Sequence, residues 1–128
     1  MLAQVSVEFI VFLSFLLILV FLIVYQNTQT FAYLEEYKTY QEAQKTADSI
    51  ASEINLALKT GNGYTRKFYV NENIYGIGNF TIEVDNYEVK LKWDKGEVIS
   101  TILTKNITGE VKVGENVIRN VDGKIYIQ

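Results

Sequence analysis

A run of side chains at 9–25, FIVFLSFLLILVFLIVY, constrains this chain more than any other feature, because Ser14 and the closing tyrosine are its only polar interruptions. A helix satisfies its own backbone hydrogen bonds, so such a segment asks only for apolar surroundings on every side. At about 1.5 Å per helical residue it measures about 25 Å, and Val5 and Val7 extend it, which suits the hydrocarbon core of a bilayer. A cleaved secretory signal would carry basic residues ahead of the run and a small-residue cut site behind it; here QNTQTFAYLEEY follows. A buried core helix would need a larger soluble domain than the rest of this 128-residue chain provides. The run therefore reads as a membrane or filament-core helix. No Lys or Arg precedes it and Glu35 and Glu36 follow it, which predicts an N-in, C-out orientation.

The run does not end the helix. Proline is absent, and no glycine occurs before Gly61, so nothing breaks a helix over 4–59, roughly 84 Å at standard rise. Tyr33, Tyr37, Tyr40, Gln44, Ala47, Ala51, Ile54 and Leu58 recur at spacings of three and four, which predicts one apolar face over 26–60. The sequence TGNGY predicts the stop, with Gly61 in the left-handed conformation that closes many helices.

Beyond Gly61 the period changes to two. Phe80, Ile82 and Val84 alternate with Thr81, Glu83 and Asp85; then Tyr87, Val89, Leu91 and Trp93 alternate with charged residues. Further strands are expected at EVISTILT, GEVKV, NVIRNV and KIYIQ, with RKFYV as an edge strand and turns at Asp94-Lys95-Gly96, Gly114-Glu115 and Asp122-Gly123. Short successive strands imply an antiparallel meander. The expected fold is α+β and lollipop-like: a long N-terminal helix, apolar over about 5–25 and amphipathic over 26–60, its second half packed on a small antiparallel sheet domain at 61–128.

The lip of the apolar run carries the most specific signal. Ala3-Gln4-Val5-Ser6-Val7-Glu8-Phe9, directly followed by the apolar helix, resembles the processing site of archaeal type IV pilins, proteins with a class III signal peptide. Their pattern is a small residue, then Gln-x-Ser-x-Glu and an aromatic or aliphatic residue. The resemblance implies a leader at 1–3, cleavage between Ala3 and Gln4 by a membrane prepilin peptidase, and processing determinants at Gln4, Ser6 and Glu8. Family leaders are usually basic, and the three residues here are not. It also implies that Glu8, the fifth mature residue, faces the new amino terminus of a neighbouring subunit, so that Gln4 and Glu8 serve assembly. A second account of Glu8 needs no partner: an acid in the first turns of a helix interacts favourably with its N-terminus, by about 0.3 to 1 kcal/mol.

Weaker signals surround this one. Asn79-Phe80-Thr81 and Asn106-Ile107-Thr108 are acceptor sequons for N-glycosylation, and Asn106 falls at an expected turn. The closely spaced glycines of GIGNF and TGNGY lack the strand-to-helix context of a phosphate loop and read as turns. Histidine and cysteine are absent, which removes the commonest general base, metal ligand and thiol nucleophile. The formal charge is −3 with mixed signs, and no basic stripe suggests nucleic acid.

The expectation is thus a non-enzymatic structural subunit, a major or minor pilin, that needs no cofactor or metal and polymerises into a surface filament through its apolar helix. By resemblance, its partners are its own copies, the prepilin peptidase, an assembly ATPase and a membrane platform protein. A single-pass anchored extracellular binding module is the alternative, and a pseudopilin of a secretion or uptake machine shares the motif. A tethered binder usually has a Gly, Ser or Pro-rich linker, and 26–60 has none.

Overall fold

The computed structural model describes the backbone of residues 2–128 and the side chains from Ser6 onward. One helix, α1 (Leu2–Thr60), is followed by seven strands: β1 (Thr65–Val70), β2 (Phe80–Asp85), β3 (Glu88–Trp93), β4 (Gly96–Thr101), β5 (Ile107–Thr108), β6 (Gly114–Val121) and β7 (Lys124–Ile127). The class is α+β, as expected. The chain divides into two compact units, Met1–Glu36 and Tyr37–Gln128, so the second stretch of α1 belongs to the unit that holds the strands.

The helix stops where the sequence places its stop. Gly61 has φ +92°, and its N–H donates to the Ala57 carbonyl at 3.3 Å, the single bond of a left-handed helix cap.

The strands depart from the expected single antiparallel sheet. They form two sheets: a meander β2-β3-β4, and a four-stranded sheet in the order β1-β6-β7-β5. In the second, β5 runs parallel to β7, with Ile107 opposite Ile125, while β1-β6 and β6-β7 are antiparallel. RKFYV is indeed an edge strand. GEVKV alternates like a strand but joins no ladder, because local bonds hold its end in another shape. The fully buried Asn116 side chain accepts from the Lys112 N–H at 2.8 Å and donates to the Lys112 and Gly114 carbonyls. Gly114 consequently opens β6 rather than a turn. Gly109, at φ +104°, lies so close to β7 that a Cβ there would overlap the Ile127 carbonyl oxygen.

Tyr87 is the other correction. It belongs not to β3 but to the β2-β3 turn, where Asn86 and Tyr87 have φ of +48° and +68°, the two positive values of a tight hairpin turn. Tyrosine in the left-handed region is strained by about 1 to 2 kcal/mol. Tyr87→Gly is expected to raise stability by about 0.5 to 1 kcal/mol after glycine's own entropic penalty. Thermal unfolding of the detergent-held chain checks this, and an unchanged or lower Tm contradicts it.

The core of the second unit lies between α1 and both sheets. Ala43, Ala47, Ile50, Ala51, Ile54 and Ala57 are buried on the helix, against Val89, Leu91 and Val98 of one sheet and Ile118, Ile125 and Ile127 of the other. The buried face is rotated from the expected one. Ala43, Ile50 and Ala57 replace Gln44 and Tyr37, the tyrosine staying 54% exposed, because alanines let the helix backbone come close to two sheets at once. Tyr40 packs edge-on against Trp93 at 5.0 Å between ring centroids. Gly96 makes room for that pair: a Cβ there would meet the Tyr40 hydroxyl.

Asparagines join helix to strands. Asn55 accepts from the Leu103 N–H at 2.8 Å just beyond β4. Asn120, 1% exposed, donates to the Ala57 carbonyl at 2.9 Å and accepts from the Gly123 N–H at 2.9 Å. It thereby ties the last turn of α1 to the β6-β7 hairpin.

Candidate assembly site

The first unit presents apolar side chains on every face. From Val7 to Tyr25 the large hydrophobic residues range from 43% exposed at Leu16 to 70% at Phe21, so no side of the helix is sheltered. An 18-residue window here has a mean hydropathy of 3.1 and none of it is buried, so α1 is long and apolar enough to cross a membrane. Monomeric proteins seldom leave such an area in water. The hydroxyl inside the run is satisfied locally, as Ser14 Oγ donates to the Ile10 carbonyl at 2.8 Å. Thr28 and Thr30 repeat the arrangement on the Val24 and Gln26 carbonyls just beyond it.

Ser6 and Glu8, for which the sequence predicts a processing role, are exposed on α1 at the edge of the apolar surface. The side chains of Ala3 and Gln4 lie outside the described residues. Glu8 stands immediately before Phe9, which is 64% exposed.

Both sequon asparagines are exposed, as are Thr81 and Thr108. Asn106 is fixed through its backbone, its N–H donating to Thr104 Oγ1 at 3.0 Å and its carbonyl accepting from Ile125 at 2.9 Å, while its side chain points to solvent. Asn106→Gln is expected to lower the apparent mass of the exported protein in a glycosylating host. An unshifted band refutes the site.

A cleft of about 490 Å³ lies between α1 and β1, in the second unit. Arg66 reaches Glu53 Oε1 at 3.7 Å, and Glu53 Oε2 is buried without a hydrogen-bond partner among the described residues. Across the other sheet Lys92 meets Glu83 at 2.7 Å. That hydrogen bond lowers the Glu83 pKa and raises that of Lys92. The small stability this exposed pair adds is present above the ordinary carboxyl pKa and is lost as pH falls through the lowered value of Glu83. No group of three or more acidic side chains among the described residues is arranged to hold a metal ion.

The cleft and the asparagine ties carry no sequence signature, since both arise where residues distant in the chain meet. Compared with known protein families, curated proteins and solved structures, the chain matches none.

Proposed function

We propose that this chain is a structural subunit, a major or minor pilin, of an archaeal type IV pilus-like surface filament. On this reading it enters the membrane N-in, C-out through α1, is cut between Ala3 and Gln4, and polymerises through the apolar stretch of the helix. The observation that carries the reading is that stretch, exposed on every face and bordered by Glu8. A bilayer satisfies it before assembly, and neighbouring copies satisfy it afterwards. At about 25 cal/mol per Å², burying a few hundred Å² against each neighbour contributes several kcal/mol, and less when the helix leaves lipid rather than water. The motif supports the reading by resemblance, and so does the absence of a flexible linker over 26–60.

Intact mass and N-terminal sequencing of protein sheared from the cell surface test it. A mature terminus at Gln4 in the sheared fraction is expected. Protein that keeps Met1 and stays wholly in the membrane overturns it in favour of an anchored binding module.

A further inference from the structure

Two sheets have four edges, and in the second unit they are not equivalent. The β4 edge is covered by α1, where Gln44 Nε2 donates to the Ile99 carbonyl at 3.1 Å and Asn55 reaches the Thr101 carbonyl at 3.4 Å. The β5 edge is two residues long. The β1 and β2 edges are each six residues long, and among the described residues neither backbone bonds to anything beyond its β6 or β3 partner. Such edges are templates for another strand.

Their charges differ in sign. β1, Thr-Arg-Lys-Phe-Tyr-Val, carries Arg66 and Lys67, whereas β2, Phe-Thr-Ile-Glu-Val-Asp, carries Glu83 and Asp85. These four residues are exposed. Successive strand residues point to opposite faces, so Arg66 lies with Phe68 and Val70 on the side of α1, while Lys67 shares the outer face of β1 with Tyr69, as Glu83 and Asp85 share that of β2. Pairing β2 with β2 sets anions against each other, whereas β1-β2 pairing sets Lys67 against Glu83 and Asp85. The internal partners of these groups, Glu53, Glu115 and Lys92, form exposed or loosely spaced pairs that are readily exchanged.

The cleft beside β1 leaves that edge open to an incoming strand. One wall is α1 over 42–53, about 16 Å at standard rise, and the other is β1 over 66–70, every residue of which lines it. A wall made of consecutive strand residues is the edge of the strand and not one of its faces. Glu53 Oε2, buried there without a donor, offers an acceptor to an incoming N–H or hydroxyl.

We infer that the β1 edge of one copy of this chain receives the β2 edge of the next, adding a strand between neighbouring heads. The contact is head-to-tail, so it builds a ring or an open array according to the rotation between copies, and an isologous β2-β2 dimer is disfavoured by its paired carboxylates. It rests on the filament reading only in that copies are held side by side.

The absence of cysteine makes thiol cross-linking of the full chain clean. Cells carrying equal amounts of Tyr69→Cys and Thr81→Cys copies would be treated with a short bis-maleimide, and both sheared and membrane fractions analysed by mass. A mixed 69–81 product is expected, with neither homodimer above background. Lys67→Glu should cut the mixed yield about tenfold, and adding Glu83→Lys with Asp85→Lys on the partner copy should restore it. Homodimers, or no mixed product in either fraction, overturn the inference. Filaments that form with a Gln4 terminus but give no mixed product overturn it while leaving the filament reading intact.

Discussion

Glu8→Ala is expected to leave the protein in the membrane and to lower the yield of sheared filament at least a hundredfold. The apolar run at 9–25 is untouched by the change, so insertion has no reason to fail. In an assembled core of apolar helices, however, the amino terminus of a cleaved neighbour would lose its carboxylate. Stranding one member of a buried ion pair costs about 3 to 5 kcal/mol, more than two orders of magnitude in an association constant. Glu8→Gln separates charge from shape, since it keeps the size and the hydrogen-bonding capacity of the side chain while removing the ion. It should fail nearly as badly. The mature terminus of each variant must be sequenced as well, because a chain that is never cut would also fail to assemble. Normal filament yield from a correctly processed Glu8→Ala chain refutes the pairing role and leaves the helix N-terminus as the reason for the acid.

The second large effect belongs to the head. Asn120→Ala should destabilise the second unit by about 1 to 3 kcal/mol, because the Gly123 N–H loses its partner and the Ala57 carbonyl keeps only the longer bond from Gly61. For a unit of this size that lowers Tm by roughly 5 to 20 °C. Asn120→Asp is the sharper test. It retains an acceptor for Gly123 but turns a carboxylate oxygen toward the Ala57 carbonyl, so it should be no better than alanine near neutral pH and should recover as the carboxyl is protonated. A loss under 1 kcal/mol for both variants would show that the helix end is held by its left-handed cap and apolar contacts alone.

What could be read in the sequence follows from how local each signal is. The helix, its stop at Gly61 and the hairpin strands β2 and β3 rest on periodicity and turn chemistry within a few residues, and all were legible. The rotated core face was not. Ala43 and Ala57 carry too little hydrophobicity to stand out in a pattern, yet two sheets converging on the helix select small residues there. The division into two sheets escaped for a related reason. GEVKV has the alternation of a strand, but the Asn116 side chain, beyond its end, takes up the Lys112 backbone groups that a ladder would need. Tyr87 was misplaced because its residue type argues for a strand while its backbone serves a turn. The open edges of β1 and β2 became visible only once the strand order was known.

The hydroxyl of Ser14, turned back onto the Ile10 carbonyl, has a mechanical consequence. Over 9–25 the helix exposes hydrocarbon, aromatic rings, the closing tyrosine hydroxyl and a Ser14 hydroxyl whose proton is already committed to its own backbone, so its lateral contacts in the proposed filament would be almost wholly dispersive, with little directional preference. Among neighbouring copies it would behave as a greased shaft: turning about its long axis, or sliding a fraction of a turn past a neighbour, would exchange one set of greasy contacts for another of similar strength. In the proposed filament, angular register would then be imposed from the two ends of that shaft, and a load along it would meet slip before fracture.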